Sequence, residues 1–259
     1  MIAPGPTTTH YRTLDPSLII NTAVRLEKRV AARFPDAGIH KVSIELVLLA
    51  GDLAAAAQLL AKPIIWLRAV IAAVFAVGVS MFLFVGTILP LDRISGGDDV
   101  FDSVQGVEAS LNTVILAGLG FLTLIRLEDW LKRKKIFGQL HGLRSLIHVI
   151  DMHQLTKDPA ALSENFKPTA ESPVRITNSQ ELARYLDYCS EMLSITGKLA
   201  ALFAQSVNDE VVVQAVNDIE ELGSNLSRKI WQKITMIESY EQFRRQSIRA
   251  DDHTPFRSF

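Results

Sequence analysis

A run of 21 residues without a charge, Ala69 to Leu89 (AVIAAVFAVGVSMFLFVGTIL), constrains this chain more than any other feature. At about 1.5 Å per residue, a helix of that length reaches roughly 30 Å, the thickness of a bilayer's hydrocarbon core. The flanks suit a transmembrane helix over 63–91. Pro63 fits a first-turn position, Trp66 and Arg68 can sit at headgroup depth, and Pro90 with Asp92 and Arg93 ends the run. The alternative is a buried core helix of a soluble protein. A mean hydropathy of +0.20 for the chain leans toward lipid.

A second charge-free run of 17 residues, Ala109 to Ile125, is at the lower edge of what can cross a bilayer and contains Asn112. Paired with the first it predicts a helical hairpin, with a second span over 107–127; a re-entrant or interfacial segment is the alternative. Arg126 can snorkel from its end, Trp130 can lie in an aromatic belt, and Lys132, Arg133, Lys134 and Lys135 follow at once. The connector 92–106 carries Asp92, Asp98, Asp99 and Asp102 against Arg93 alone. Positive charge favours the cytoplasmic side, so the acidic connector is expected to be a short outer loop, with both termini cytoplasmic in an inner membrane. The loop is too small for a sensor domain, and its aspartates lack the D-x-D-x-D-G spacing of a calcium loop.

The chain has 27 Lys plus Arg against 28 Asp plus Glu, which gives no basic excess for tracking phosphates, and no nucleic-acid partner is expected. With 48% hydrophobic residues, disorder over most of the length is excluded. The one cysteine, Cys189, rules out an intramolecular disulfide and a Cys-rich zinc site. The opening MIAPGPTTTHYRT has no basic stretch followed by an apolar run, so no cleavable signal peptide is expected.

Both flanks of the hairpin read as helices. In 1–62, Asp15 and Pro16 form a cap and first-turn pair for a helix to about Phe34, with Ile19, Ala23, Leu26 and Val30 on one face. After a turn at Pro35, Asp36 and Gly38, a second helix from about Val42 to Ala61 has only Glu45 and Asp52 as charges, and needs cover from neighbouring helices. In 128–259, Ile136, Leu140, Leu143, Ile147 and Ile150 continue the second span as one long helix to about Lys157. A linker fills 157–178. Asn178 and Glu181 resemble a capping box for a helix carrying Leu182, Leu186, Cys189, Leu193, Thr196, Ala200 and Phe203 on a seven-residue repeat, which makes Cys189 a core thiol. A turn at Val207 to Asp209 leads to a last helix with Val212, Val216, Ile219, Leu222, Leu226, Ile230, Ile234 and Ile237 on one side; the tail after Tyr240, with Arg244, Arg245, Arg249 and Arg257, reads as a frayed end. The fold class is therefore all-α: a two-span transmembrane hairpin and a cytoplasmic antiparallel helical bundle built from both flanks, with coiled-coil-like surfaces suited to self-association.

The most unusual polar cluster is His141 to Pro159. On a helix, His141, Arg144, His148 and Asp151 fall within an arc of about 80 degrees, beside the apolar stripe. Such a strip is a candidate ligand or phosphate site. His148 and Asp151 can approach one metal ion, but His141 lies about 10 Å from His148 along the axis and cannot share it. His141, Gly142, Leu143, Arg144, Ser145 and Leu146 resemble the phospho-acceptor helix of sensor histidine kinases, His-Glu-aliphatic-Arg-Thr-Pro-Leu. The resemblance implies a phospho-accepting or kinase-docking role for His141. Gly142 replaces the acidic residue that assists phosphotransfer, Leu146 stands in place of proline, and the 259 residues hold no ATP-binding domain, so a kinase is excluded. The R-x4-6-H signature of helical ribonucleases fits neither Arg144 to His148 nor Arg144 to His153. Walker A, G-x-G-x-x-G, H-E-x-x-H and G-x-S-x-G are absent.

No catalytic residue, resident metal or cofactor is assigned. The expected role is a non-catalytic, membrane-anchored interaction or scaffold module, with the lipid bilayer and a protein partner or a second copy as its contacts. One alternative is an oligomeric pore, for which Ala72, Ala76, Ser80, Gly118 and Gly120 permit close helix contact; neither span carries a charge to line an aqueous path. The other is a metal- or phosphate-dependent site on the histidine strip.

Overall fold

The computed structural model describes residues 13–60, 62–88, 100–163, 166–172, 175–207 and 209–252. The opening twelve residues, most of the acidic connector and the tail with Arg257 lie outside them. The described residues are helical with no strand: α1 (Pro16–Arg33), α2 (Gly38–Leu60), α3 (Ile65–Ile88), α4 (Val100–Leu155), a 3-10 turn (Pro159–Leu162), α5 (Ser179–Ser206) and α6 (Glu210–Asp252). Two helices, within α3 and α4, are long and apolar enough to cross a membrane.

Local chemistry explains most of the boundaries. Asp15 caps α1, its carboxylate accepting the Ser17 backbone N–H at 2.8 Å, with Pro16 in the first turn. α1 stops at Arg33 because Phe34 precedes Pro35, and the residue before a proline is driven out of the helical region. Asn178 caps α5, accepting from the N–H of Gln180 at 2.9 Å and of Glu181 at 3.1 Å. Three boundaries differ from expectation. α2 begins at Gly38, four residues ahead of Val42. α4 begins at Val100, so residues 100–106 of the supposed outer loop, Asp102 among them, are its first turns. The arginine-bearing tail continues α6 to Asp252.

The chain divides into two compact units, one made from the segments up to residue 61 and from Ile136 onward, the other from Lys62–Lys135. α4 contributes to both. In the first unit α5 is the centre, with α1, α2 and α6 packed on it and α1 also packed on α2. All four apolar positions expected on α1 and all seven on α5 are buried. On α4, Ile136, Leu140, Leu143, Ile147 and Ile150 join the same core. The eight on α6 are buried except Leu222, which is half-buried against the core. Arg33 forks onto Glu181 at 2.8 and 2.9 Å, and Arg29 onto Glu191, lashing α1 to α5. These pairs are substantially exposed, so they fix register more than they add stability. The apolar α2 is covered on one side only. Ten of its residues are buried, while Ile44, Leu48 and Leu59 are exposed.

The second unit has almost no interior. Every residue of 72–80 on α3 and of 111–123 on α4 is exposed. Phe75 and Phe121 touch, with ring centroids 5.4 Å apart. A Cβ added at Gly118 or Gly120 would meet nothing within 4 Å, so among the described residues no other helix of this chain packs closely on these two glycines.

Candidate functional site

Two groups of side chains are candidates: the polar strip on α4 and the charged residues at the end of the apolar helices. The strip divides. His141, Arg144 and His148 are exposed on α4. Asp151 is half-buried and accepts from Gln154 Nε2 at 2.6 Å. Gln154, 2% exposed, in turn accepts from Lys233 Nζ on α6, at 2.9 Å through its backbone oxygen and 2.7 Å through Oε1. Asp151 thus belongs to a network that ties α4 to α6. Among the described residues, no three His, Cys, Asp or Glu side chains gather where they could hold a metal ion.

That network adjoins other buried polar groups. Lys157 Nζ lies 5.1 Å from the centre of the Tyr185 ring, and burial pushes its ammonium below the ordinary lysine value. Cys189 is fully buried and its thiol is raised to about 12 by burial, which makes it a poor nucleophile at neutral pH.

His153, on the far side of α4 from the strip, packs its ring onto Gly38 at the start of α2. A Cβ there would overlap the ring, which is why glycine opens this helix. Burial, with Lys157's charge second, holds His153 below its ordinary value. Because the fold favours the neutral ring, its contribution is fully present above about pH 6.5 and is lost as pH falls through the lowered value. Melting curves at pH 7.5 and 5.5 are expected to show a larger drop for the natural protein than for His153→Asn. Equal drops would remove His153 from the account.

At the charged end of the apolar helices, the side chains organise around an acid. Glu128, only 8% exposed, accepts from Lys132 Nζ at 3.0 Å, Arg68 Nε at 3.1 Å and the Ile64 backbone N–H at 3.2 Å. Burial raises its pKa, but the hydrogen bonds from Lys132, Arg68 and Ile64 outweigh this and hold the carboxyl at about 2. Lys132 is thereby mostly buried, at 13% side-chain exposure. Trp66 and Trp130 are exposed, and Lys134 lies over the Trp130 ring at 5.5 Å. Arg126 and Lys135 are exposed and Arg133 is half-buried. Glu128 was not among the residues singled out from the sequence. Its i,i+4 spacing to Lys132 was a legible signal; its partners Ile64 and Arg68, more than fifty residues earlier, were not.

Two grooves lie along α5 and α6, of about 560 and 590 Å³, and both are lined in part by Trp231. Trp231 is 53% exposed and Met236, further along α6, 60%. Comparison of the chain with protein-family models, with curated proteins and with solved structures finds no match in any of the three.

Proposed function

We propose that this is an integral membrane protein that crosses the bilayer twice as a helical hairpin and holds a helical bundle against the cytoplasmic face for a protein partner or a second copy. The observation that carries the reading is exposure. Residues 72–80 and 111–123 are exposed throughout and mostly apolar, and so extensive an apolar helical surface requires lipid or another chain. A core helix of a soluble protein passes the same length and composition test, but its residues are covered by their own chain. The basic residues after the second span support an inside location for both flanks. The role we propose is non-catalytic, and a buried Cys189 and an Asp151 engaged by Gln154 are consistent with it.

Partner binding draws support from the exposed Trp231, which lines both grooves, and from the exposed Met236 on the same helix, since aromatic and methionine side chains suit interface anchors. The test is a photo-crosslinking amino acid placed in cells at position 231 or 236, with position 225 of α6, an exposed asparagine, as a reference. A discrete adduct to one protein or to a second copy, from the first two positions and weaker from the third, is expected. No adduct from any position would contradict the interaction role.

A further inference from the structure

Within the second unit, α3 and α4 enclose a groove of about 390 Å³ lined by Arg68, Ile71, Ala72, Phe75, Phe121 and Glu128. Four of the six are apolar, and the charged pair sits at one end of the sequence run on each helix. We propose that this groove binds one anionic glycerophospholipid, an acyl chain lying along Ile71, Ala72, Phe75 and Phe121 and the phosphate bound by the Arg68 guanidinium.

The charge at the groove's end supports this occupant. Glu128 faces two cations, so the cluster of Arg68, Lys132 and Glu128 carries one surplus positive charge. Arg68 gives Glu128 only its Nε hydrogen, at 3.1 Å. A guanidinium has five N–H donors, and the four on its two Nη atoms can still take a phosphate in the forked geometry that suits it. The Arg68 side chain is 62% exposed, so an incoming headgroup can reach it, whereas Lys132 at 13% is committed to Glu128. Glu128 thus has a second use, holding Arg68 at the groove while its own charge is neutralised by Lys132. The apolar wall favours a lipid over free phosphate. Ile71, Ala72, Phe75 and Phe121 continue into the exposed apolar faces at 72–80 and 111–123, so an acyl chain in the groove remains in contact with bulk lipid.

The proposal rests on the membrane-spanning reading, and one experiment separates the two. The full chain is placed in nanodiscs of equal phosphatidylglycerol and phosphatidylcholine, released into the mass spectrometer, and the retained lipid is counted for the natural protein and for Arg68→Gln, Ala72→Phe and Lys135→Gln. Ala72→Phe narrows the apolar part of the groove and keeps both charges of the Arg68–Glu128 pair. Lys135→Gln removes the same charge from an exposed position off the groove. One phosphatidylglycerol per chain is expected for the natural protein and Lys135→Gln, falling by about fivefold or more in Arg68→Gln, the scale of one basic group acting on an anionic lipid, and falling also in Ala72→Phe. Equal retention in all four, equal retention of phosphatidylcholine, or no retained lipid in the natural protein would overturn the proposal. A chain that stays monodisperse in buffer without detergent or disc would instead overturn the membrane-spanning reading.

Discussion

Replacing Phe203 by alanine is expected to cost about 3–5 kcal/mol of stability, the range found when a buried aromatic is cut to a methyl group and the surroundings cannot close over the space. Phe203 heads the fully buried large side chains, sits in the last turn of α5, and lies in the core that α1, α2, α4 and α6 share. Its removal therefore opens a void in the element on which the others pack. For a unit of this size the loss corresponds to a fall of roughly 10 °C in melting temperature. Met236→Ala, at a side chain 60% exposed on α6, is expected to stay within about 0.5 kcal/mol. Circular dichroism melts in detergent distinguish the two. A Phe203→Ala protein that melts within a degree of the natural one would mean that α5 is not the centre of this core.

The second large effect is expected at Glu128. Glu128→Ala leaves Lys132 mostly buried without its carboxylate and strips acceptors from Arg68 and the Ile64 N–H. Breaking a buried pair from one side costs about 3–5 kcal/mol, because the remaining charge keeps its desolvation penalty. Removing both charges, Glu128→Ala with Lys132→Met, is expected to recover much of that loss. The sign with pH follows from the lowered carboxyl: the contribution is fully present above about pH 4.5 and disappears as pH falls toward about 2. Unfolding by graded detergent denaturation, read through Trp66 and Trp130 in a Trp231→Phe background, reports on this unit. Indifference to Glu128→Ala would show that the three contacts add nothing to the pairing of α3 with α4.

Periodicity carried the first unit well. Ile19, Ala23, Leu26 and Val30, and the stripe from Leu182 to Phe203, are core residues because a helix with one face on a common core must repeat its apolar residues at three and four. The 17-residue apolar run and the stripe from Ile136 onward likewise belong to one helix, α4. Features set by distant partners were not legible. Gly38 and the preceding Pro35 and Asp36 read as a turn, yet His153, over a hundred residues away, is what selects glycine at the start of α2. Four aspartates suggested a loop over 92–106, yet the chain is helical from Val100 onward. On α4, His141, Arg144 and His148 are exposed and Asp151 is half-buried. Asp151 accepts from Gln154, and Gln154 accepts from Lys233, 79 residues away, a pairing that no local spacing encodes.

The central claim, two spans with both flanks on the inner side, is tested most directly by cysteine labelling in intact cells. The natural chain already serves as a quiet background, because its one thiol, Cys189, is buried and held at about 12. Single cysteines are introduced at position 98 in the connector, 25 on α1 and 224 on α6, and a membrane-impermeant maleimide is added before and after permeabilisation. The account predicts labelling at 98 in intact cells, and at 25 and 224 only after the membrane is opened. Labelling of 25 or 224 in intact cells, or protection of 98 there, would contradict it.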